Sequence, residues 1–333
     1  MRVSSSSWLL CAGFVGCTIV AGVDEFTDAV PAGAGGTSSG GATSTSSGQA
    51  GSGTGGSGGC TADVDHDQLN CGACGHDCLG GACRGGVCQP FELVGNENEP
   101  TGIAVAGDQL YWTSIGSDTL RRCTLPDCSP TTLLPFASPW GIAAGNGRVY
   151  WTRSTGNATD PVSVCDPDDC TGTYASITQG GDPKGVAVTA TDAYFLSQGP
   201  GSLRRCALGG CNDMPTALAP GNGSGLAIVG SIAYWTNWDN SRLDACTLPG
   251  CTDVTTLFAE NMGALSLSNG LAVDATHAYW SSLEQIKHCA LDDCANTVAA
   301  LVPSTAAPAG VAVDAQAIYW TSPTAGTIMR LVK

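Results

Sequence analysis

The stretch GIAVAGDQLYWT, residues 102–113, decides the fold because the same phrase recurs six times along the chain. Each copy begins with Gly, continues through small and apolar residues, passes a short turn and ends on two aromatic residues. The other copies are GIAAGNGRVYWT (141–152), GVAVTATDAYFL (185–196), GLAIVGSIAYWT (225–236), GLAVDATHAYWS (270–281) and GVAVDAQAIYWT (310–321). The second aromatic residue therefore recurs every 39–45 residues. A period near forty residues with strand-forming residues in each unit predicts a β-propeller, and six units predict six blades.

Each unit should fold as one four-stranded blade. In the first unit we expect strands at 102–106, 110–114, 120–124 and 131–134, with the Gly- and Ala-rich strand innermost, where six strands crowd together. Successive residues of a strand point to opposite faces of the sheet. Tyr111 and Trp112 should therefore enter the two different interfaces that flank their blade.

The sixth unit lacks a fourth strand, because the sequence ends soon after the third-strand residues 328–332. The segment Phe-Glu-Leu-Val at 91–94 precedes the first unit at the spacing expected of a fourth strand. We therefore predict that 91–94 pairs with 328–332 and closes the ring, which removes the exposed sheet edges that promote aggregation. The predicted class is all-β.

The propeller contains ten cysteines in five pairs, each with four residues between the partners. Each pair lies where the third strand turns into the fourth. We expect the two cysteines to form the first cross-strand pair of a hairpin, within bonding distance. Five local structural disulfides are predicted: Cys123 with Cys128, Cys165 with Cys170, Cys206 with Cys211, Cys246 with Cys251, and Cys289 with Cys294.

The Tyr-Trp-Thr blades resemble the YWTD propellers of lipoprotein receptors and the NHL-type propellers, over residues 102–333. The resemblance implies a six-bladed propeller. The Asp that ends the receptor motif is replaced in every unit, so the resemblance does not extend to the receptors' Asp network. The residues found there are Ser114, Arg153, Ser197, Asn237, Ser282 and Ser322.

The N-terminus has the pattern of an export signal. Met1-Arg2 supplies a basic start, and residues 8–16 form an apolar run too short to span a membrane. Residues 14–17, Phe-Val-Gly-Cys, resemble a bacterial lipobox, which implies a signal peptide at 1–16 and lipidation of Cys17. Because Thr18 follows rather than Asp, we expect an outer-membrane or cell-surface lipoprotein. Cleavage after Ala21, with simple secretion, is the alternative.

Two further segments precede the propeller, which we place at 90–333. Residues 17–59 form a linker whose Gly/Ser/Thr-rich part cannot bury enough apolar surface to fold, so we expect a flexible coil. Residues 60–89 carry six cysteines, which must hold so small a module together. This segment resembles the Stig1-like Cys-rich motif of plant secreted proteins, which implies an extracellular disulfide module. Its connectivity stays open, because six cysteines allow fifteen pairings.

Two metal sites are the alternatives to a purely structural role for this module. Cys71 and Cys74 with His66 and His76 could bind zinc, although finger-like spacing does not recur. Residues 63–67, Asp-Val-Asp-His-Asp, resemble the start of a calcium loop, but Gln68 replaces the required Gly. We favour disulfides and a solvated acidic turn, and we predict no metal or cofactor.

Composition and the lack of catalytic motifs favour binding over catalysis. The net charge is −16 with only 13 basic residues, which excludes nucleic acid as a partner. The gluconolactonase-like and streptogramin-lyase-like propellers place metal ligands around the channel. Here the propeller's two histidines, His277 and His288, both belong to the fifth unit, and we do not expect either side chain to point toward the channel. We therefore expect a monomeric, non-enzymatic binding or adhesion module for a protein or glycan. The alternatives are a metal-dependent lactonase- or lyase-like enzyme and a passive envelope spacer.

A ligand should bind on the face that carries the variable loops between the second and third strands and between successive blades. The opposite face carries the repetitive, acidic disulfide turns. Trp140 and Trp238 are the only propeller tryptophans outside the repeated phrase, so the packing pattern does not require them. The candidate ligand face comprises Trp140, Arg153, Lys184, Trp238 and Asp239.

Overall fold

The computed structural model describes residues 61–333, except 136, 158, 200 and 260–269. The predicted signal peptide, the lipidation residue Cys17, the linker and Cys60 lie outside the described residues. Within the described part, no helix has the length and apolar character needed to cross a bilayer.

Twenty-four strands form six antiparallel four-stranded sheets, which are the six predicted blades. We name the strands A to D from the centre outward. Blade 1 contains Pro100–Ala106, Gln109–Ser114, Thr119–Thr124 and Thr131–Pro135; blade 2 contains Pro139–Gly145, Arg148–Arg153, Pro161–Cys165 and Ala175–Gln179; blade 3 contains Pro183–Val188, Asp192–Ser197, Ser202–Ala207 and Thr216–Pro220. Blade 4 contains Leu226–Val229, Ile232–Asn237, Arg242–Thr247 and Thr255–Ala259; blade 5 contains Leu271–Val273, His277–Ser282, Gln285–Ala290 and Ala299–Val302; blade 6 contains Val311–Val313, Ala317–Ser322, Thr327–Val332 and Phe91–Val94.

The ring closes as the sequence predicts. Strand D of blade 6 is Phe91–Val94, which pairs antiparallel with Thr327–Val332 so that Ile328 lies opposite Val94. The six-bladed, all-β propeller closed by an N-terminal strand is therefore confirmed.

Every blade interface joins the Tyr of one blade to the second aromatic residue of the next, as the alternation of side chains requires. Tyr111 of blade 1 packs in one cluster with Trp151 of blade 2, and Tyr319 of blade 6 packs with Trp112 of blade 1. The remaining pairs are Tyr150 with Phe195, Tyr194 with Trp235, Tyr234 with Trp280, and Tyr279 with Trp320. All twelve rings are at most 7% exposed. Burial of such large rings dominates the core energetics.

The Gly and Thr of the repeated phrase join neighbouring strands A around the channel. The hydroxyl of Thr113 accepts from the Gly102 amide at 2.7 Å and donates to the Trp140 carbonyl of the next blade at 2.8 Å. A Cβ at Gly102 would lie 2.6 Å from that same carbonyl, so only Gly permits this approach. Blade 3 has the buried Leu196 in place of the hydroxyl residue.

All five predicted pairs in the propeller are disulfide bonds, with Cα atoms 4.7–5.5 Å apart. One detail of the expectation is wrong, because the second cysteine is not the first residue to pair across the hairpin. Strand D of blade 1 begins at Thr131, which lies opposite Arg122, and Cys128 precedes it. The Cys128 amide instead donates to the Thr124 carbonyl at 2.9 Å, so a tight turn brings the sulfurs together. In blades 2 and 5 this turn is a short helix, Cys170–Thr173 and Cys294–Thr297.

The Cys-rich segment packs directly on blade 6. Its disulfides join Cys71 to Cys83 and Cys78 to Cys88, and Cys74 is also disulfide-bonded. A small hairpin, Cys83–Arg84 with Val87–Cys88, supports it. Its four buried cysteines belong to the same apolar cluster as Trp320 and Leu331 of blade 6. The segment therefore shares a core with the propeller.

Candidate functional site

The two ends of the propeller differ in their connections. Because the strands are antiparallel, the A–B and C–D turns lie at one end, which we call the disulfide-turn face. The B–C and D–A loops lie at the other end, which we call the loop face. Trp140 and Lys184 are the second residues of strands A in blades 2 and 3. Arg153 ends strand B of blade 2, and Trp238 and Asp239 follow strand B of blade 4. All five candidate residues thus lie on the loop face.

The backbones of Trp140 and Lys184 are fixed at the channel mouth by the repeated hydroxyl contacts. The Trp140 carbonyl accepts from Thr113, and the Lys184 carbonyl accepts from the Thr152 hydroxyl at 2.6 Å. Each residue directly precedes a strand A glycine, where the neighbouring strands approach most closely. The two side chains therefore project from a rigid part of the scaffold.

The Trp140 and Lys184 side chains contact each other. The Lys184 ammonium lies 4.2 Å from the centre of the Trp140 ring, a cation–π distance. The same ammonium contacts the Ser154 hydroxyl and lies 3.6 Å from the Asp182 carboxylate. Ser154 donates to Asp182 at 2.6 Å. The Lys184 and Asp182 side chains are only 12% and 17% exposed, whereas Trp140 is half-buried.

Arg153 borders this cluster on blade 2. Its guanidinium donates to the Ser138 hydroxyl at 3.3 Å. Nearby in the B–C loop, the buried Asp160 accepts from the backbone amides of Thr155 and Asn157 at 2.6 and 3.1 Å. Burial alone would raise the pKa of Asp160, but these hydrogen bonds and the charge of Arg153 hold the pKa below its usual value. This loop is therefore anchored by a charged carboxylate.

Trp238 and Asp239 form a second group, two blades away from Trp140. The Trp238 amide donates to the Asn222 carbonyl at 2.6 Å, and the Asn222 side chain donates to Asp239 at 3.2 Å. Trp238 is half-buried and Asp239 is exposed. The structure thus brings three of the five predicted residues together in blades 2 and 3 and places the other two in blade 4.

The described channel lining is apolar. Strand A contributes three successive residues from each blade, beginning with Ile103-Ala104-Val105 in blade 1, and in all six blades these are Ala, Val, Ile or Leu. Asp274 and Asp314, which follow strand A, instead accept from the Tyr279 and Tyr319 hydroxyls of their own blades at 3.0 and 2.9 Å. Among these lining residues, no side chain can bind a metal ion.

The structure contradicts the zinc alternative in the Cys-rich segment. Cys71 and Cys74, the two cysteines of that hypothesis, are both disulfide-bonded and offer no thiolate. The sulfurs of Cys71, Cys78 and Cys88 lie within 4.8 Å of one another, but all three likewise belong to disulfides. In the acidic turn, Asp67 accepts from the Leu69 amide at 2.9 Å and the Asn70 side chain at 2.8 Å. These bonds lower the pKa of Asp67 and give it a turn-forming role.

Sequence reasoning missed Glu97, which lies in the D–A loop between blades 6 and 1. Its carboxylate accepts from Trp112 Nε1 at 2.8 Å and the Ser114 hydroxyl at 3.0 Å, and Arg121 lies 3.3 Å away. The Glu97 side chain is only 4% exposed. The one sequence feature that could have identified Glu97 is its position, five residues before a strand A glycine. Thr305, at the same place in blade 6, accepts from Trp320 Nε1 at 3.2 Å.

Comparison with known proteins supports the fold alone. No protein-family model matches the sequence, and no curated protein matches it. A structure of a nidogen/laminin complex is 18% identical and covers 67% of this chain and 88% of its own, with a TM-score of 0.56. A gluconolactonase from Xanthomonas campestris is 15% identical (73% and 89% covered, TM-score 0.60). A virginiamycin B lyase from Staphylococcus aureus is 12% identical (74% and 98% covered, TM-score 0.54). The chain is similar to all three in its propeller architecture.

Proposed function

We propose that the propeller is a binding module whose loop face recognises a glycan through the Trp140 group. The observation that carries this proposal is the half-exposed indole, fixed at the channel mouth and surrounded by polar groups. Ligand sites combine apolar or aromatic surface with a few fixed polar groups. The indole would stack on a sugar ring while Lys184, Ser154 and Arg153 supply hydrogen bonds. A protein partner is the alternative ligand.

The module would act outside the cell. Seven disulfides join described cysteines, which is typical of an oxidising compartment. We propose attachment to the outer membrane or cell surface through a lipid on Cys17. Mass spectrometry of the mature N-terminus tests this: a diacylglyceryl-modified Cys17 supports attachment, and a chain that begins at Gly22 indicates secretion.

The glycan proposal is tested by binding to immobilised peptidoglycan and to an array of surface polysaccharides. Trp140→Ala should weaken binding at least tenfold, about 1.4 kcal/mol, without changing the melting temperature. Met214→Ala is the matched control, because Met214 is 75% exposed in the C–D turn on the opposite face. Equal binding by the Trp140 variant would place the site elsewhere. Failure of the parent protein to bind any glycan would favour a protein ligand or a passive spacer.

A hydrolase or lyase is the second candidate, and one contact favours it. The Lys184 ammonium contacts the Ser154 hydroxyl, and a serine beside a lysine is one arrangement of a nucleophile and its base. Against it, the Ser154 hydroxyl donates to Asp182 at 2.6 Å rather than to Lys184, which is itself the donor in its contact with Ser154. Hydrolysis of lactone and ester probes by the parent, abolished in Ser154→Ala, would establish the enzyme. A parent protein that binds glycan but hydrolyses none of these probes would support the module.

A further inference from the structure

Two of the protein's four histidines lie side by side on blade 5, at its disulfide-turn end. His277 begins strand B, and His288 lies in strand C opposite Tyr279, so the two imidazoles share one face of the sheet. Their ring centres are 5.7 Å apart, with 23° between the ring planes. Both residues are half-buried, so solvent reaches the pair.

The surroundings of His277 fix which ring nitrogen carries the proton. The Thr276 hydroxyl donates to Asp274 at 3.0 Å and lies 2.9 Å from His277 Nδ1. Because that hydroxyl directs its hydrogen at the carboxylate, it accepts a hydrogen bond from Nδ1–H of the imidazole. The lone pair of neutral His277 therefore lies on Nε2. A histidine whose other nitrogen donates to a fixed oxygen is the usual form of a metal ligand.

Asp274 is itself fixed by several donors, which keeps this arrangement in place. Its carboxylate accepts from the Thr276 and His277 amides at 2.9 and 2.8 Å and from the Tyr279 hydroxyl at 3.0 Å. Lys333 Nζ lies 3.1 Å from the same carboxylate and pairs with it.

His288 is available as a second ligand. In the described part of the chain its ring makes only stacking contacts, with His277 and Tyr279. No hydrogen bond within the described residues therefore holds the His288 ring in its present orientation.

We propose that His277 and His288 form a bis-histidine site for a late first-row divalent cation such as Zn²⁺ or Ni²⁺. Imidazole nitrogens suit these ions, with bonds of about 2.0–2.1 Å. Two imidazoles on one tetrahedral ion would have ring centres about 5 Å apart on those bond lengths, close to the separation found here. Rotation of the His288 ring would aim its lone pair at an ion bound by His277 Nε2, and water would complete the coordination. The site is on the opposite face from the Trp140 group and is independent of the proposed glycan binding.

The test is isothermal titration of the full chain with ZnCl₂ and with NiCl₂ at neutral pH. We expect binding that falls at least tenfold in His277→Ala and in His288→Gln, and about tenfold in Thr276→Val, which removes the acceptor for Nδ1. His66→Ala is the matched control, because His66 is an exposed histidine paired with a carboxylate, 3.2 Å from Asp63.

Each outcome decides the proposal. Metal binding that is weakened by the His277 and His288 variants but not by His66→Ala supports the proposal. Any metal that Cys11 and Cys17 bind is a constant background, because both residues are present in the parent and in every variant. Absence of binding by the parent overturns it, as does unchanged affinity in a folded His277→Ala/His288→Gln double variant. Circular dichroism and thermal melting confirm that each variant is folded. His277→Ala alone keeps the test decisive should the half-buried His288 prove intolerant of change.

Discussion

Blades 1 to 5 and blade 6 are completed in opposite ways. In each of the first five, strands A to D are consecutive in sequence and a disulfide ties the C–D turn. In blade 6, strand D comes from the other end of the propeller sequence, and the Cys-rich segment lies where the disulfide turn would be. Arg330, only 4% exposed, donates to the Pro126 carbonyl at 3.2 Å and to the Leu79 carbonyl, and its guanidinium lies 5.5 Å from the Phe91 ring centre. Local crosslinks stabilise five blades, whereas long-range packing stabilises the sixth.

The largest effect is expected from breaking the long-range strand. Val94 is 6% exposed and packs in one cluster with Trp112 and Ile328. Val94→Asp places an unpaired charge there, and we expect a loss of roughly 4 kcal/mol or more in the free energy of unfolding. Glu92→Lys, at an exposed position of the same strand, should change it by less than about 0.5 kcal/mol. Equilibrium denaturation in urea measures both, and equal stability of the two variants would contradict the closure argument.

The next largest effect concerns Glu97, which links the closing segment to blade 1. Glu97→Ala leaves Trp112 Nε1 and the Ser114 hydroxyl without their acceptor and separates Arg121 from its carboxylate. Removing one partner of a buried charged pair costs about 3 kcal/mol. Glu97→Gln keeps an acceptor and should cost less. We therefore expect the urea concentration at the unfolding midpoint to be highest for the parent, lower for Glu97→Gln and lowest for Glu97→Ala. A Glu97→Ala protein as stable as the parent would show that the loop contributes little to closure.

A smaller effect is expected from removing one local crosslink. The double variant Cys123→Ser/Cys128→Ser opens a single turn of blade 1, and the chain-entropy account gives about 2 kcal/mol for so short a loop. The same change at Cys206 and Cys211 should cost a similar amount, because each disulfide acts within its own blade. Losses that differ severalfold between the two pairs would show that these bonds do more than close their turns.

The sequence predicted what the repeat encodes and missed what occurs once. The six-fold phrase placed Tyr111 and Trp112 in different interfaces and predicted that 91–94 completes blade 6, because period and alternation follow from strand geometry. Glu97 was not predicted because its partners lie in strands B and C, and no sequence pattern in a loop shows which strands that loop approaches. The same holds for Ser154 and Lys184, thirty residues apart, whose contact depends on the curvature of the ring. The contact between Arg330 and the Leu79 carbonyl likewise joins residues 251 positions apart, and no sequence pattern links them.

The smallest effect concerns the pH dependence of stability at the seam between blades 5 and 6, where Asp274 pairs with Lys333. The folded-state pKa of His288 lies below its unfolded value of 6.5, so the unfolded chain binds the proton more readily, and stability falls as the pH drops below 6.5. The pKa of Asp274 is also depressed, so its contribution is fully present above 3.8 and is lost as the pH falls further.

Melting temperature measured from pH 8 to 3 should therefore decline in two stages. His288→Gln should reduce the decline below pH 6.5 and leave the one below 3.8, since Gln cannot titrate while Asp274 still pairs with Lys333. Asp274→Asn should do the reverse: the decline in melting temperature below pH 3.8 should become smaller, because Asn cannot titrate. This variant also loses the ion pair with Lys333 that joins the two blades. An identical decline near pH 6 in the parent and in His288→Gln would show that this seam does not sense pH in that range.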